Sequence, residues 1–207
     1  MKKICFALAA VMALSAAASA EVGIGVKGGL YSQSDNLGGT FGMIGNTKYS
    51  NDKYFGGLEF IFQDYFTESN MLGFKIGAEL RAPLKMDNMM NMSLKNDLYT
   101  FPLTLYYKYA PPCAFINFWL GGGVSLGLSK WTFDAPIMDF STSQNSLVVF
   151  PHLNAGIEFR PTEHIGLGID GAYNFSAKTA EDFGLGGANY TRDISGFEAN
   201  LALRFYF

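Results

Sequence analysis

The sequence predicts an all-β protein, an eight-stranded antiparallel up-and-down transmembrane β-barrel, and three patterns predict it. Segments of about ten to fourteen residues alternate apolar and polar side chains, as half-buried strands do. The connections between them alternate in length, long then short, which sets short turns on one rim of a barrel and long loops on the other. The last segment keeps its alternation to the final residue, Phe207.

The eight segments are residues 22–31, 54–65, 72–81, 98–109, 115–131, 147–160, 165–175 and 194–207. In the third, Leu72, Phe74, Ile76, Ala78 and Leu80 alternate with Gly73, Lys75, Gly77, Glu79 and Arg81. In the fifth, Ile116, Phe118, Leu120, Val124, Leu126 and Leu128 oppose Asn117, Trp119, Gly121, Gly123, Ser125 and Gly127. The fourth carries Pro102, which removes one ladder donor. Short turns are expected at Thr67 to Asn70, Ala110 to Cys113 and Pro161 to His164. Long loops are expected at Ser32 to Lys53, Pro83 to Asp97, Thr132 to Ser146 and Ser176 to Asp193, so both chain ends fall on the short-turn, periplasmic side.

The first twenty residues divide from the rest. Met1, Lys2 and Lys3 precede the apolar run Ile4 to Leu14 and the small residues Ala18, Ser19 and Ala20, the layout of a secretory signal with its cleavage site. Residues 1–20 are therefore expected to be a signal peptide and residues 21–207 the barrel. Loss of Lys2 and Lys3 leaves 13 of the 15 basic residues against 18 acidic ones, a formal charge of −5, so no basic excess serves nucleic acid. Cys5 lies too early for a lipid-modified cysteine, and Cys113 alone remains, which excludes an internal disulfide.

Period two separates two faces without saying which is outside, since a soluble up-and-down barrel shows the same alternation. The contents of the faces decide. The polar face is rich in glycine and carries Lys27, Glu59, Lys75, Glu79, Arg81, Lys108, Glu158, Arg160, Asp170, Glu198 and Arg204. Small residues beside a few long charged ones suit the narrow bore of an eight-stranded barrel. The apolar face offers Leu, Ile, Val and Phe, with Tyr54, Tyr99, Tyr107, Tyr109 and Tyr173 toward strand ends, where interfacial aromatics belong.

The terminal alternation Leu201, Leu203, Phe205, Phe207 resembles the carboxyl-terminal targeting strand of outer-membrane barrels. With the signal, the eight segments and the alternating loops, the chain resembles the small porin-like, opacity-type outer-membrane β-barrel proteins over essentially its whole length after residue 20. That resemblance implies a fold and a location in the outer membrane of a Gram-negative bacterium. Adhesin, immune-evasion and small-pore roles all occur within the family. Leu203, Phe205 and Phe207 are then the expected assembly signal, read by the outer-membrane assembly machinery.

Candidate chemistry is sparse. Lys75, Glu79, Arg81, Glu158, Arg160, Asp170, Glu198 and Arg204 are expected to form a salt-bridged network filling the bore, because an unpaired charge there would cost several kcal/mol. His152 faces inward, with Asn154 where a nucleophile would be wanted, and His164 falls in a periplasmic turn, so a lipid-modifying enzyme is the least favoured reading. Met86, Met89, Met90 and Met92 lack a His or Cys companion and read as a loosely packed loop, not a metal site. Gly121 to Gly123 read as strand bending or close packing, and Gly184 to Gly187 as loop freedom; neither has phosphate-loop spacing. Phe41, Met43, Ile44, Phe133, Ile137, Met138, Phe140, Phe183, Leu185 and Tyr190 put apolar groups on the long loops, either packed together or offered to a host, surface or lipid ligand.

These readings favour a monomer in outer-membrane lipid, with no cofactor and no enzymatic role, whose long loops carry a structural or adhesin-like surface interaction. The competing reading is a small passive pore for polar or hydrophobic solutes.

Overall fold

Strand pairing closes into a ring in the computed structural model, which describes residues 20–33, 48–51, 53–87, 93–112, 114–136, 139–175, 178–182 and 189–207. In chain order the strands are β1 (Glu21–Gln33), β2 (Lys48–Asn51), β3 (Tyr54–Thr67), β4 (Asn70–Asp87), β5 (Ser93–Tyr109), β6 (Ile116–Ala135), β7 (Phe140–Thr162), β8 (Ile165–Asn174), β9 (Lys178–Asp182), β10 (Asn189–Asp193) and β11 (Gly196–Tyr206). Eight of them form the wall in the order β1, β3, β4, β5, β6, β7, β8, β11, each antiparallel to its neighbours. β11 returns to β1 through the register Ile24↔Phe205 to Gln33↔Gly196, so the wall has no open edge at the level of the barrel. Among the described residues no helix is long and apolar enough to cross a membrane.

Side-chain direction follows the pleat. Leu58 and Phe60 on β3, Leu120 on β6 and Leu201 on β11 point out of the barrel, with Leu201 67% exposed. Glu59, Lys75, Glu79, Lys108, Glu158, Asp170 and Arg204 point in and are buried. This apolar-out arrangement is stable only in lipid, because in water it would expose a continuous hydrocarbon belt.

The strands are longer than the alternation suggests. β4 and β5 run into the expected loop 83–97, β6 and β7 into the expected loop 132–146, while β2, β9 and β10 occupy parts of two others. The reason is a change of phase. Along β6 the outward positions read Val124, Leu126, Leu128, then Lys130, Thr132 and Asp134, while the inward ones change from Ser125, Gly127 and Ser129 to Trp131 and Phe133. Trp131 is fully buried and Phe133 nearly so. Above the lipid the outer face meets water, so the polar residues move outside and the apolar ones inside. β4 to β7 thus form a tall part of the wall, whereas β8 ends at Asn174 and β11 begins at Gly196, near the lipid edge.

Candidate functional site

The bore is filled in layers. At the short-turn end, Arg160 makes a two-point bond to Glu21, with Nη2 2.5 Å from Oε1 and Nη1 3.0 Å from Oε2. Its guanidinium also stacks 4.2 Å from the Tyr206 ring centroid. Above it, Lys108 Nζ lies 2.5 Å from Glu158 Oε1, and the Tyr206 hydroxyl donates to Glu158 Oε2 at 2.5 Å. Ile61, Tyr106, Trp119 and Tyr206 pack into an apolar cluster around these ions.

Arg204 occupies the middle of the bore. Its Nε is 2.6 Å from Glu59 Oε1, its Nη1 is 3.2 Å from Glu158 Oε2, and its Nη2 pairs with Asp170. Asp170 also accepts the indole N–H of Trp119 at 3.1 Å. Room for the guanidinium comes from small neighbours: a Cβ on Gly25 would stand 2.7 Å from Glu59 Cγ, and one on Gly168 2.5 Å from Arg204 Nη1. One buried arginine with three acids avoids the several kcal/mol that each lone ion would cost.

The upper layer joins Lys27 to Glu79 at 2.6 Å and Arg81 to both Glu198 and Glu79, the latter at 3.4 Å. Thr100 donates to Glu79 at 2.7 Å, and the Asn174 amide to Glu198. Between the layers lies a polar chamber of about 40 Å³ bordered by Lys75, Pro102, His152 and Asn154. Beyond Arg81 the interior turns apolar, with Leu98, Phe150 and Ile194 in one cluster.

Each sequence-named charge has a definite place. Glu79, Arg81 and Glu198 share one set of contacts and Glu158, Asp170 and Arg204 another. Arg160 stands apart from both, at the rim with Glu21. Lys75 lies over an aromatic ring, its Nζ 3.2 Å from the Trp119 ring centroid. Lys27, Glu59 and Lys108 are full members of the network, and Glu21, Gln63 and Tyr206 join it. The two-residue alternation supplies the inward direction of Lys27, Glu59, Gln63, Lys108 and Tyr206, but the partners they meet inside the bore carry no sequence signature.

His152 is held between two hydroxyls, with Nε2 2.9 Å from Thr104 Oγ1 and Nδ1 2.9 Å from Ser125 Oγ. The serine is supplied by the neighbouring strand, not by position 154, and the group is buried inside the bore. His164 Nδ1 lies 3.1 Å from the Tyr206 carbonyl oxygen. Among the described residues no three His, Cys, Asp or Glu side chains converge on a metal position. Phe133, assigned by sequence to an exposed loop, is buried inside the tall wall, with its ring 6.1 Å from that of Phe140. The signal segment through Ser19, Cys113, Met89, Met90, Met92, Phe41, Met43, Ile44, Ile137, Met138, Phe183, Leu185 and the run Gly184 to Gly187 lie outside the described residues.

Leu203, Phe205 and Phe207 project outward at the end of the chain, and the Phe207 N–H donates to Val22 O at 2.8 Å.

The comparisons with solved structures agree with this architecture. OprG from Pseudomonas aeruginosa superposes with a TM-score of 0.60 at 15% identity, over 92% of this chain and 96% of that one. A major outer membrane protein from Thermus thermophilus gives 0.55 at 12%, over 91% and 100%. Ail, the attachment invasion locus protein of Yersinia pestis, gives 0.52 at 12%, over 91% and 97%. At such identities the likeness is one of fold. A search among curated proteins finds no match. The family model for the outer membrane protein beta-barrel domain matches residues 4–205, nearly the whole chain. A closed eight-strand wall, a lipid-facing apolar belt and that match together place the chain in the outer membrane of a Gram-negative bacterium, as a member of the outer membrane protein β-barrel domain family.

Proposed function

We propose that the barrel is a closed scaffold whose work is done at its extracellular rim, an adhesin-like surface-interaction role. The observation that carries this reading is the tie of Arg204 inside the bore to Glu59, Glu158 and Asp170, which links β11 to β3, β7 and β8. With the charged layers below and the Leu98, Phe150, Ile194 cluster above, it leaves no continuous water path in this reading. The tall wall of β4 to β7 meanwhile offers the surface on which loops act. Residues 1–20 serve as the export signal and Leu203, Phe205 and Phe207 as the assembly signal, and the closed barrel acts as a monomer.

The test has two arms. Purified protein in planar bilayers should give no unitary conductance; stable, reproducible steps overturn the closed-scaffold reading. Shortening the rim by excising residues 131–144 should abolish attachment of displaying cells to host-cell monolayers while heat-modifiable gel mobility persists. Attachment that survives the excision places the role elsewhere.

A second reading, passive passage of small solutes, draws on one feature of the wall. The β4 to β5 ladder pairs Ile76 with Leu103 and Glu79 with Thr100, with no pair at Gly77 and Ala78, opposite Phe101 and Pro102. Gly77 and Pro102 border the chamber. Solute uptake lost on substitution of Lys75, Glu79 or Arg81 would favour this reading.

A further inference from the structure

The outer face of the tall wall changes from apolar to basic within two rows of the sheet. Leu80, Tyr99, Leu128 and Leu147 form the last lipid-facing row across β4 to β7, aligned by the registers Leu80↔Tyr99, Tyr99↔Leu128 and Leu128↔Leu147. The next outward row holds Asp97 and Lys130, which are Cα partners, with Asn145 beside them. The row above holds Lys85 and Lys95, again Cα partners, followed by Thr132 and Ser143. One row further out, Asp87 and Asp134 are the Cα partners of Ser93 on either side, and Lys48 of β2 is the partner of Asp87, so the acids lie above the lysine rows and farther from the lipid edge.

Two lysines directly opposite each other on an antiparallel pair repel and destabilise the ladder. Lys95 is relieved by Asp97 at 2.8 Å, yet Lys95, Lys85 and Lys130 together still exceed that acid by two charges. The height of the patch is also informative. Two strand residues rise about 7 Å, and strand tilt shortens this, so the two rows stand roughly 5 to 10 Å above the hydrocarbon edge. The polar headgroup layer occupies about that depth on each side of the hydrocarbon core. Lysine side chains there can reach down while their stems lie on apolar surface.

The geometry points to a phosphate-binding surface formed by Lys85, Lys95 and Lys130 on the outer face of β4 to β6, engaging the phosphorylated glucosamine headgroup of lipid A in the outer leaflet. Continuity with the lipid belt selects a membrane-bound anion over a free one. Tyr99 stands directly below, at the level where an interfacial aromatic ring completes such a contact.

The test reconstitutes the full barrel in phosphatidylcholine vesicles alone, with bisphosphorylated lipid A, or with dephosphorylated lipid A, and measures lipid A retained through detergent extraction and purification. The native protein should retain the bisphosphorylated form and not the dephosphorylated one. The combined Lys85→Gln, Lys95→Gln, Lys130→Gln variant should bind it more weakly by on the order of a hundredfold, from the attraction of each lysine to an anionic surface. Its gel shift in phosphatidylcholine should equal the native one, which separates lost binding from lost folding. Asp97→Asn, which releases Lys95, should raise retention. Equal retention by the triple variant, equal retention of the dephosphorylated lipid, or an unchanged or lower retention by Asp97→Asn overturns the proposal. So does lysine-dependent binding of soluble sucrose octasulfate with no lipid A retained.

Discussion

Arg204 Nε lies 2.6 Å from Oε1 of Glu59, a contact between residues 145 positions apart that links β11 to β3 inside the bore. The two strands are not neighbours in the wall, because β1 stands between them. The pair therefore braces the ring from within.

Arg204→Met should destabilise the barrel by about 3–5 kcal/mol, because Glu59, Glu158 and Asp170 lose a shared counter-charge in a buried place. The urea midpoint of the folded-to-unfolded gel shift in detergent reports it. Adding Glu59→Gln should recover part of the loss, since the two sites act on one contact. A single variant as stable as the native protein would mean that these carboxylates are solvated.

The lipid boundary can be mapped with arginine. Leu201→Arg, at an outward position near the middle of β11, should cost about 2–4 kcal/mol of folding stability in vesicles. Ser143→Arg, on β7 above the lipid edge, should be close to neutral. Comparable costs at the two positions would misplace the boundary.

Adjacent glycines of β6 should respond differently. A Cβ at Gly123 would stand 1.9 Å from the Leu103 carbonyl oxygen, so Gly123→Ala should cost ~3 kcal/mol or more. At Gly122 the nearest atom is Leu153 Cδ2 at 2.9 Å, the movable end of a lipid-facing side chain. Gly122→Ala should change stability by no more than about 1 kcal/mol. Denaturant titration of refolded protein compares the two.

Phe207 makes one backbone bond to Val22 and leaves its ring exposed to lipid. Phe207→Ala should refold in detergent as the native chain does, yet accumulate poorly in the outer membrane of cells. Fractionation with and without a periplasmic protease deletion measures this. Normal accumulation would remove the assembly role from this residue.

The barrel itself was legible because lipid makes the pleat visible. Leu72, Phe74, Ile76 against Lys75, Gly77, Glu79 can be read without coordinates, and Glu79 and Arg81 must face inward once Leu80 faces out. The strand ends were not legible. Leu94 and Asn96 belong to β5 and Phe133 to β6, yet the parts of these strands beyond Leu98 and Trp131 read as loop because their polarity has the opposite phase to the belt below. Phe133 thus reads as a loop residue in the sequence and is a strand residue of the interior in the structure.

The sequence by itself determined the eight-strand alternation, the inward direction of the charges and the outward row that ends on Phe207, since each depends only on neighbours two residues apart. Tertiary structure alone decided which charge meets which, placing Lys75 on the Trp119 ring and bringing Ser125 to His152. It also set Lys85 opposite Lys95. Such partners depend on the register and shear of a closed ring, quantities fixed by the simultaneous packing of all eight strands and written in no single segment.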